Sequence, residues 1–436
     1  MPNVDVLPCG HIALAGTSRM CSHLIGSDGE EHVGLLTGRG LDFDVCCPAC
    51  DRAAQAGSGP ELLSACEGCL AAYVDDEDHR YLVAWRGAPE ILERPEAFDV
   101  TVVDTTIPVA AVDFTPVVGE TGSVWLLLED DGQIGRFDAD TGQWSPLARA
   151  TVPVEEPDPR WAGRHPQPRL HTSPGGDFAA VVNDFGRYGQ VIDLRTGEMT
   201  VALDGGAYCE ETVPFAVAFV QRRGRTVVVH RTAWNRLDAT DAGTGELLTA
   251  RELPGFRQEG PLAEHHLDYF HGALHASPGG RWLADDGWVW HPIGIPYVWD
   301  VRRWLDDNVW ESEAGPSRRP LCGRDYHWNV PMCWTGDDRL AVSGIGGDDE
   351  AMLAGVRIFD VTTGTQVNTF AGPIGAFFAD DRRLYSANEA GLEIWDVDTG
   401  QRNGALPGFV PARHHTAAGE LASLAGDVLR RWTPPR

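Results

Sequence analysis

The chain has 436 residues, 43% hydrophobic and 23% charged, which excludes wholesale disorder and a single small disulfide-held fold. Asp and Glu outnumber Lys and Arg 64 to 35, for a formal net charge of -29, and no lysine occurs, so every side-chain cation other than histidine is arginine. A field of that sign repels duplex nucleic acid and anionic membrane, and the length exceeds what one core usually serves, so two modules or one large repeat array is expected.

The N-terminus, MPNVDVLPCGH, lacks a basic segment followed by an apolar one, and no apolar run approaches the ~18 residues of a membrane span. A cytoplasmic protein is the expectation. Seven of the ten cysteines precede residue 70, and crowding of that kind reads as metal ligation in a reducing compartment rather than as a disulfide framework. Cys47-Pro-Ala-Cys50 and Cys66-Glu-Gly-Cys69 are separated by fifteen residues, a zinc spacing in which each short turn points two thiolates at one ion. Cys9-Gly-His11 and Cys21-Ser-His23 lie upstream and bring the donors to eight, with Cys46 left over. Eight donors suit two structural zinc ions. In a cross-braced arrangement, which resembles RING-type modules in that respect alone, the first pair joins the third and the second joins the fourth. The simpler alternative is one ion on the four CxxC thiolates, with His11 and His23 as surface residues. A module of residues 1–72 with few large apolar side chains depends on such metal for its fold.

Residues 73–97 read as a connecting segment. From residue 110 onward a short phrase recurs, an apolar residue, Asp, two residues, Thr and Gly, at Asp138-Thr141-Gly142, Asp193-Thr196-Gly197, Asp241-Thr244-Gly245, Asp360-Thr363-Gly364 and Asp396-Thr399-Gly400. Asp and Thr side chains bond neighbouring backbone groups and Gly takes a positive φ, so the phrase predicts a tight hairpin. Asp300 begins a degenerate sixth copy in which Arg302-Arg303-Trp304 replaces the turn. Before each copy stands an alternating apolar strand followed by a polar or Ser-Pro turn and a second apolar strand, and seven such starts occur, near Val112, Leu170, Val217, Leu274, Met332, Ala376 and His414. Four antiparallel strands per unit, repeated, predict the blades of a β-propeller.

With Ser173-Pro-Gly-Gly176 and Ser277-Pro-Gly-Gly280 at the first turn, and Trp299-Asp300 and Trp395-Asp396 at the end of a strand, residues 98–436 resemble the WD40-like propeller family. The resemblance implies an all-β, seven-bladed propeller of four-stranded antiparallel blades. The family's Gly-His pairs are mostly missing, so its Asp-His network is not implied. The last unit supplies three strands, and Val100–Val103 is the expected fourth, closing N- and C-terminal segments into one sheet; Tyr81–Trp85 is the rival donor.

In that topology the loops between blades and those joining the middle strands share a face. His265, His266, His271, His291, Trp310, His327 and Trp328 fall in this aromatic and imidazole-rich sector, and they are the candidate partner-binding residues. The contrary possibility is that these tryptophans pack between blades and the histidines are scattered loop residues. Aligning first strands places Asp113, His171, Ala218, His275, Cys333, Phe377 and His415 at one position, where a metal is not expected. No nucleophile elbow, phosphate loop or spaced acid-base pair occurs, and no catalytic residue is assigned. The leading reading is a non-enzymatic scaffold that binds protein partners through a propeller face and a zinc module. The alternative is a metal-dependent hydrolase or lyase using His265, His266, His271, His291 or His327 over the propeller mouth.

Overall fold

A computed structural model describes residues 4–6, 12–14, 19–25, 33–36, 43–55, 58, 61–64, 91–156, 164–252, 264–290, 292–347, 349 and 352–434. From residue 103 onward the described strands form seven antiparallel sheets in chain order, a propeller-like, all-β arrangement. The first sheet is Ala111–Pro116, Val124–Glu129, Gln133–Asp138 and Gln143–Arg149, and the second is Gln167–Thr172, Phe178–Asp184, Tyr188–Asp193 and Glu198–Asp204. The third has three strands, Val217–Arg222, Arg225–Ala233 and Arg236–Asp241. In the fourth, Phe270–Ala276, Trp282–Val289 and Ile293–Asp300 are followed by two short strands, Arg319–Pro320 and Arg324–Asp325, that share the last edge. The fifth runs from Met332–Trp334 to Thr365–Ala371, and the sixth from Ala376–Ala379 to Arg402–Pro407.

Strands buried on both faces carry continuous apolar runs, because alternate side chains serve opposite neighbours. Phe178, Ala180 and Val182 pack with Val217 and Phe219 of the third sheet and with Phe215 just before it, whereas Ala179 and Val181 pack with Val124, Leu126 and Leu128 of the first. The same division holds around the chain: each sheet shares a core with the next, and the seventh shares Ala422 and Leu429 with Phe114, Trp125 and Leu127 of the first. Trp299 and Trp304 lie fully buried between the third and fourth sheets, so these two tryptophans are core rather than contact surface.

Each Asp-x-x-Thr-Gly phrase forms the expected turn, but after Asp241 the turn leads only to a bridge between Thr240 and Leu247, so the third sheet lacks the fourth strand expected there. Asp138 Oδ1 accepts the backbone N–H of Asp140 at 3.0 Å and of Thr141 at 2.9 Å, and Gly142, at φ 72°, donates to the Asp138 carbonyl at 2.8 Å. Asp300 makes the same bonds to Arg302 and Arg303, at 2.8 and 3.3 Å, but there they cap the helix Val301–Asp306 instead of closing a turn.

The seventh sheet comprises Arg413–His415, Glu420–Ala425, Val428–Trp432 and an N-terminal strand, Val103–Thr106. The sequence expectation of Val100–Val103 is thus displaced by three residues. Phe98 and Val102 pack instead against the core around Trp432, whose Nε1 donates to the Asp99 carbonyl at 2.8 Å, so the ladder begins only at Val103, opposite Arg431. The rival donor, Tyr81–Trp85, lies outside the described residues. Residues 91–97 run beside the outer strand of the sixth sheet, where Arg94 donates to the Arg402 carbonyl at 2.9 Å and Glu96 to Asn403 at 2.8 Å.

A chain of charges crosses the junction of the seventh, first, second and third sheets. Arg413 Nη2 reaches Asp113 Oδ1 at 2.6 Å, Arg169 lies 3.7 Å from the same carboxylate and 3.2 Å from Asp184, and Asp184 Oδ1 accepts the Phe215 N–H at 3.1 Å.

Candidate metal centre and interaction cleft

The N-terminal region contains a four-stranded sheet in the order Val33–Leu36, Phe43–Cys46, Arg19–Cys21, Leu62–Ser64. Arg19–Cys21 and Phe43–Cys46 are parallel, with Met20 opposite Val45, so both strands end at one edge of the sheet. That register delivers Cys21 and the following turn residue His23 to Cys47 and Cys50, which open the helix Pro48–Gln55. The four ligand atoms lie within 4.8 Å of one another. His23 Nδ1 is 3.2 Å from Cys50 Sγ and 3.9 Å from Cys47 Sγ, and the Cys47 N–H donates to Cys21 Sγ at 3.3 Å. The Cys50 backbone N–H holds the Cys47 thiol below its ordinary value, whereas burial pushes Cys50 up to about 12. Met20, Leu24, Val45 and Cys46 form the small buried core beneath.

These four donors could hold a metal ion. The second Cys/His pair therefore meets the third, whereas cross-bracing would place the first pair there and the single-ion alternative would leave His23 outside. Spacing along the chain does not encode this, because the parallel strand pairing decides which pairs converge. Cys9, His11, Cys66 and Cys69 lie outside the described residues.

A second site lies beside the third sheet, a cleft of about 490 Å³ lined by Tyr208, Trp234, Arg236, His265, Trp310 and Glu313, with His266 also on its wall. It exists because the insertion after Asp300 folds back on this sheet. Glu311, buried, accepts the Ser317 N–H at 2.7 Å and Asn308 Nδ2 at 2.9 Å, which fixes the loop around Trp310. Arg251 then ties the insertion to the third sheet, bonding Asp238 at 2.7 Å, the Leu237 carbonyl at 2.9 Å and the Glu313 carboxylate. His265 stacks on Trp310 with centroids 4.5 Å apart and planes 19° apart, and the Arg251 guanidinium lies over the same indole at 5.3 Å. Across the cleft, Tyr208 and Trp234 are 5.6 Å apart and both rest against Phe270.

The other sector residues have different surroundings. His271 is buried and its Nδ1 lies 2.5 Å from Asp285, and His327 Nδ1 lies 2.5 Å from Asp349. Trp328 stacks on Trp288 at 4.9 Å under the guanidinium of Arg164, and its Nε1 donates to the Thr212 carbonyl at 3.1 Å. His291 lies outside the described residues. Among the described residues the N-terminal quartet is the one set of three or more His, Cys, Asp or Glu side chains within ligand reach of one another, so the described sector histidines do not gather round a common point. Sequence reading missed Tyr208, Trp234, Arg236 and Glu313; the available signal was an indole in the short Ala-Trp-Asn-Arg hairpin turn between two apolar strands.

Histidines on the first strands carry a pH signature. Burial lowers His171, His275 and His414 to about 4 each, with Arg413 adding to the effect at His171. The unfolded chain takes up these protons near pH 6.5 and the folded chain only near 4, so stability is complete above pH 6.5 and falls as the pH drops through that window. Each ring contributes at most about 3 kcal/mol by this linkage, less where it is partly accessible. Asp184, raised to about 6 by burial, opposes the trend, because its protonation on acidification relieves a buried charge. Chemical denaturation at pH 7, 5.5 and 4.5 should give steadily lower midpoints, and substituting Phe for His275 should flatten the decline.

No protein-family model and no curated protein sequence matches the chain. Among solved structures it is similar to a chain of the "Crystal Structure of Mitotic Checkpoint Complex", with a TM-score of 0.47 and 17% identity, covering 80% of this chain and 96% of that one. A likeness that distant carries no information about function. No helix among the described residues is long and apolar enough to cross a membrane.

Proposed function

We propose that the chain is a non-enzymatic protein-interaction scaffold, organised as a zinc module at residues 1–72, a connecting segment at 73–97 and a closed, seven-bladed propeller at 98–436. Closure is supported by the core shared between the seventh and first sheets and by the pairing of Val103–Thr106 with Val428–Trp432. Protein partners bind the propeller face through the cleft at His265, His266 and Trp310, and the zinc module supplies a second contact surface. The observation that carries the reading is the cleft itself: concave, walled by aromatic rings and held open by the buried Arg251 and Glu311 contacts.

The ion at Cys21, His23, Cys47 and Cys50 is zinc in a structural role. Three thiolates and one imidazole are a soft, closed tetrahedral set, and backbone N–H groups aimed at Cys21 and Cys47 stabilise thiolate charge. When bound, the ion supplies folding energy and no chemistry at an open position. Cys9, His11, Cys66 and Cys69 would hold the second ion.

Joint replacement of His265 and His266 by Ala should weaken binding to a partner isolated with the intact chain by roughly 30-fold, the effect of losing about 2 kcal/mol at a contact centre, without lowering the melting temperature. Trp299→Ala is the control, costing about 3 to 5 kcal/mol of stability because Trp299 is fully buried. Unchanged affinity in the double variant would move the contact surface elsewhere.

A further inference from the structure

The cleft beside the third sheet is specific enough to name what it takes. Two of its rings keep a substantial exposed surface: the His265 side chain is 31% exposed and Tyr208 is 50% exposed. Trp310 is already engaged, with His265 stacked on it and the Arg251 guanidinium over it at 5.3 Å. The partly exposed His265 ring, on the cleft wall, therefore offers aromatic surface there. The charge around it favours a cation. Arg236 is neutralised by Asp238 at 2.7 Å and Arg251 by Asp238 and Glu313, while Glu264, next in sequence to His265, is 89% exposed and 3.8 Å from His265 Nε2. A formal net charge of -29 draws cationic partners over longer range.

We propose that this cleft receives an arginine side chain from an exposed segment of a protein partner, the guanidinium stacking on His265 and Tyr208 with Glu264 opposite its charge. The inference rests on reading the cleft as the propeller's contact face. A guanidinium fits better than an ammonium because it is planar, stacks on rings and is weakly hydrated, whereas an ammonium would enter as a strongly hydrated point charge. Aromatic rings and arginine also dominate the energetic centres of protein interfaces. The chain already pairs its own cations with rings in this sector, Arg251 on Trp310 and Arg164 on Trp328.

The test uses the full chain with ¹⁵N-labelled tryptophan indoles, the resonances of Trp234 and Trp310 being assigned from their Phe variants. The probe is N-acetyl-arginine methylamide, with the lysine and citrulline counterparts as controls; citrulline keeps the planar shape and loses the charge. Saturable shifts at Trp234 and Trp310 are expected with a Kd of about 1 mM, as for a ligand of this size, and binding of citrulline and of lysine at least about tenfold weaker. His265→Ala should abolish the shifts while leaving the remaining indole spectrum dispersed, and Glu264→Gln should weaken binding a few-fold and reduce its salt dependence. Absence of saturation up to about 50 mM arginine probe would overturn the proposal, and so would equal binding of citrulline, which would assign the cleft to neutral planar groups. If the probe fails while the His265, His266 double variant still weakens partner binding, the contact face stands and the arginine assignment falls. If both fail, the cleft is not the contact face.

Discussion

A chain ended after Pro407 is expected to lose cooperative folding throughout residues 103–407, rather than only its last sheet. The deletion removes Leu421 and Trp432 from the core shared with the sixth sheet and Ala422 and Leu429 from the core shared with the first. It strands Val103–Thr106 without its ladder and takes Arg413 from the buried carboxylate of Asp113. Burying one large apolar side chain stabilises by about 1.5 to 3 kcal/mol, and the partners left facing water double the count, so the loss is on the order of 10 kcal/mol. That matches the whole stability of an ordinary domain, about 5 to 15 kcal/mol. Two sheet edges would also open to aggregation. Urea unfolding followed by tryptophan fluorescence checks this: an insoluble or non-cooperative product is expected, and a soluble truncation with an unchanged midpoint would show that the first six sheets do not depend on the seventh.

Asp286→Ala is expected to destabilise the chain by about 3 to 5 kcal/mol, because it leaves Arg324 charged and unpaired in the interior. Both side chains are fully buried, at 0% exposure. Asp286 accepts Arg324 Nη2 at 2.9 Å on one oxygen and the Val330 N–H at 2.7 Å on the other, so it joins the second strand of the fourth sheet to the segment leading into the fifth. Burial raises the Asp286 carboxyl above its usual range against the pull of Arg324, with the neighbouring Asp285 adding to the rise. A pair of that kind is costly to halve and cheap to replace whole. Asp286→Leu combined with Arg324→Met should therefore recover most of the loss in equilibrium denaturation. A double variant no more stable than Asp286→Ala would show that the loss comes from the Val330 contact or from packing instead.

What the sequence made legible follows from how locally each feature is determined. The Asp-Thr-Gly turns could be read directly, since the carboxylate, the hydroxyl and the positive-φ glycine of each lie within five residues. Asp300 shows the limit of that signal: its carboxylate caps two N–H groups as in the turns, and only the residues after it make a helix. The closing strand was legible as an extended N-terminal segment but not in register, because anchoring of Phe98, Val102 and the Asp99 carbonyl on Trp432 fixes where pairing starts. At the candidate metal centre the donor types were plain and their grouping was not, since it depends on Arg19–Cys21 lying parallel to Phe43–Cys46. The cleft was half visible. His265, His266 and Trp310 stood out in a sector dense with rings, but Tyr208, Trp234 and Glu313 come from three separate stretches that only the insertion after Asp300 brings together.

On the proposed reading, structural zinc is confined to residues 1–72 and the propeller needs none. Metal analysis of the purified full chain beside its Cys47→Ser, Cys50→Ser double variant tests that division most directly. The variant should carry one zinc ion fewer per chain while the propeller's unfolding midpoint stays unchanged, since Cys21, His23, Cys47 and Cys50 form a single donor set. Zinc content identical in the two proteins would contradict the account and place the metal elsewhere in the chain.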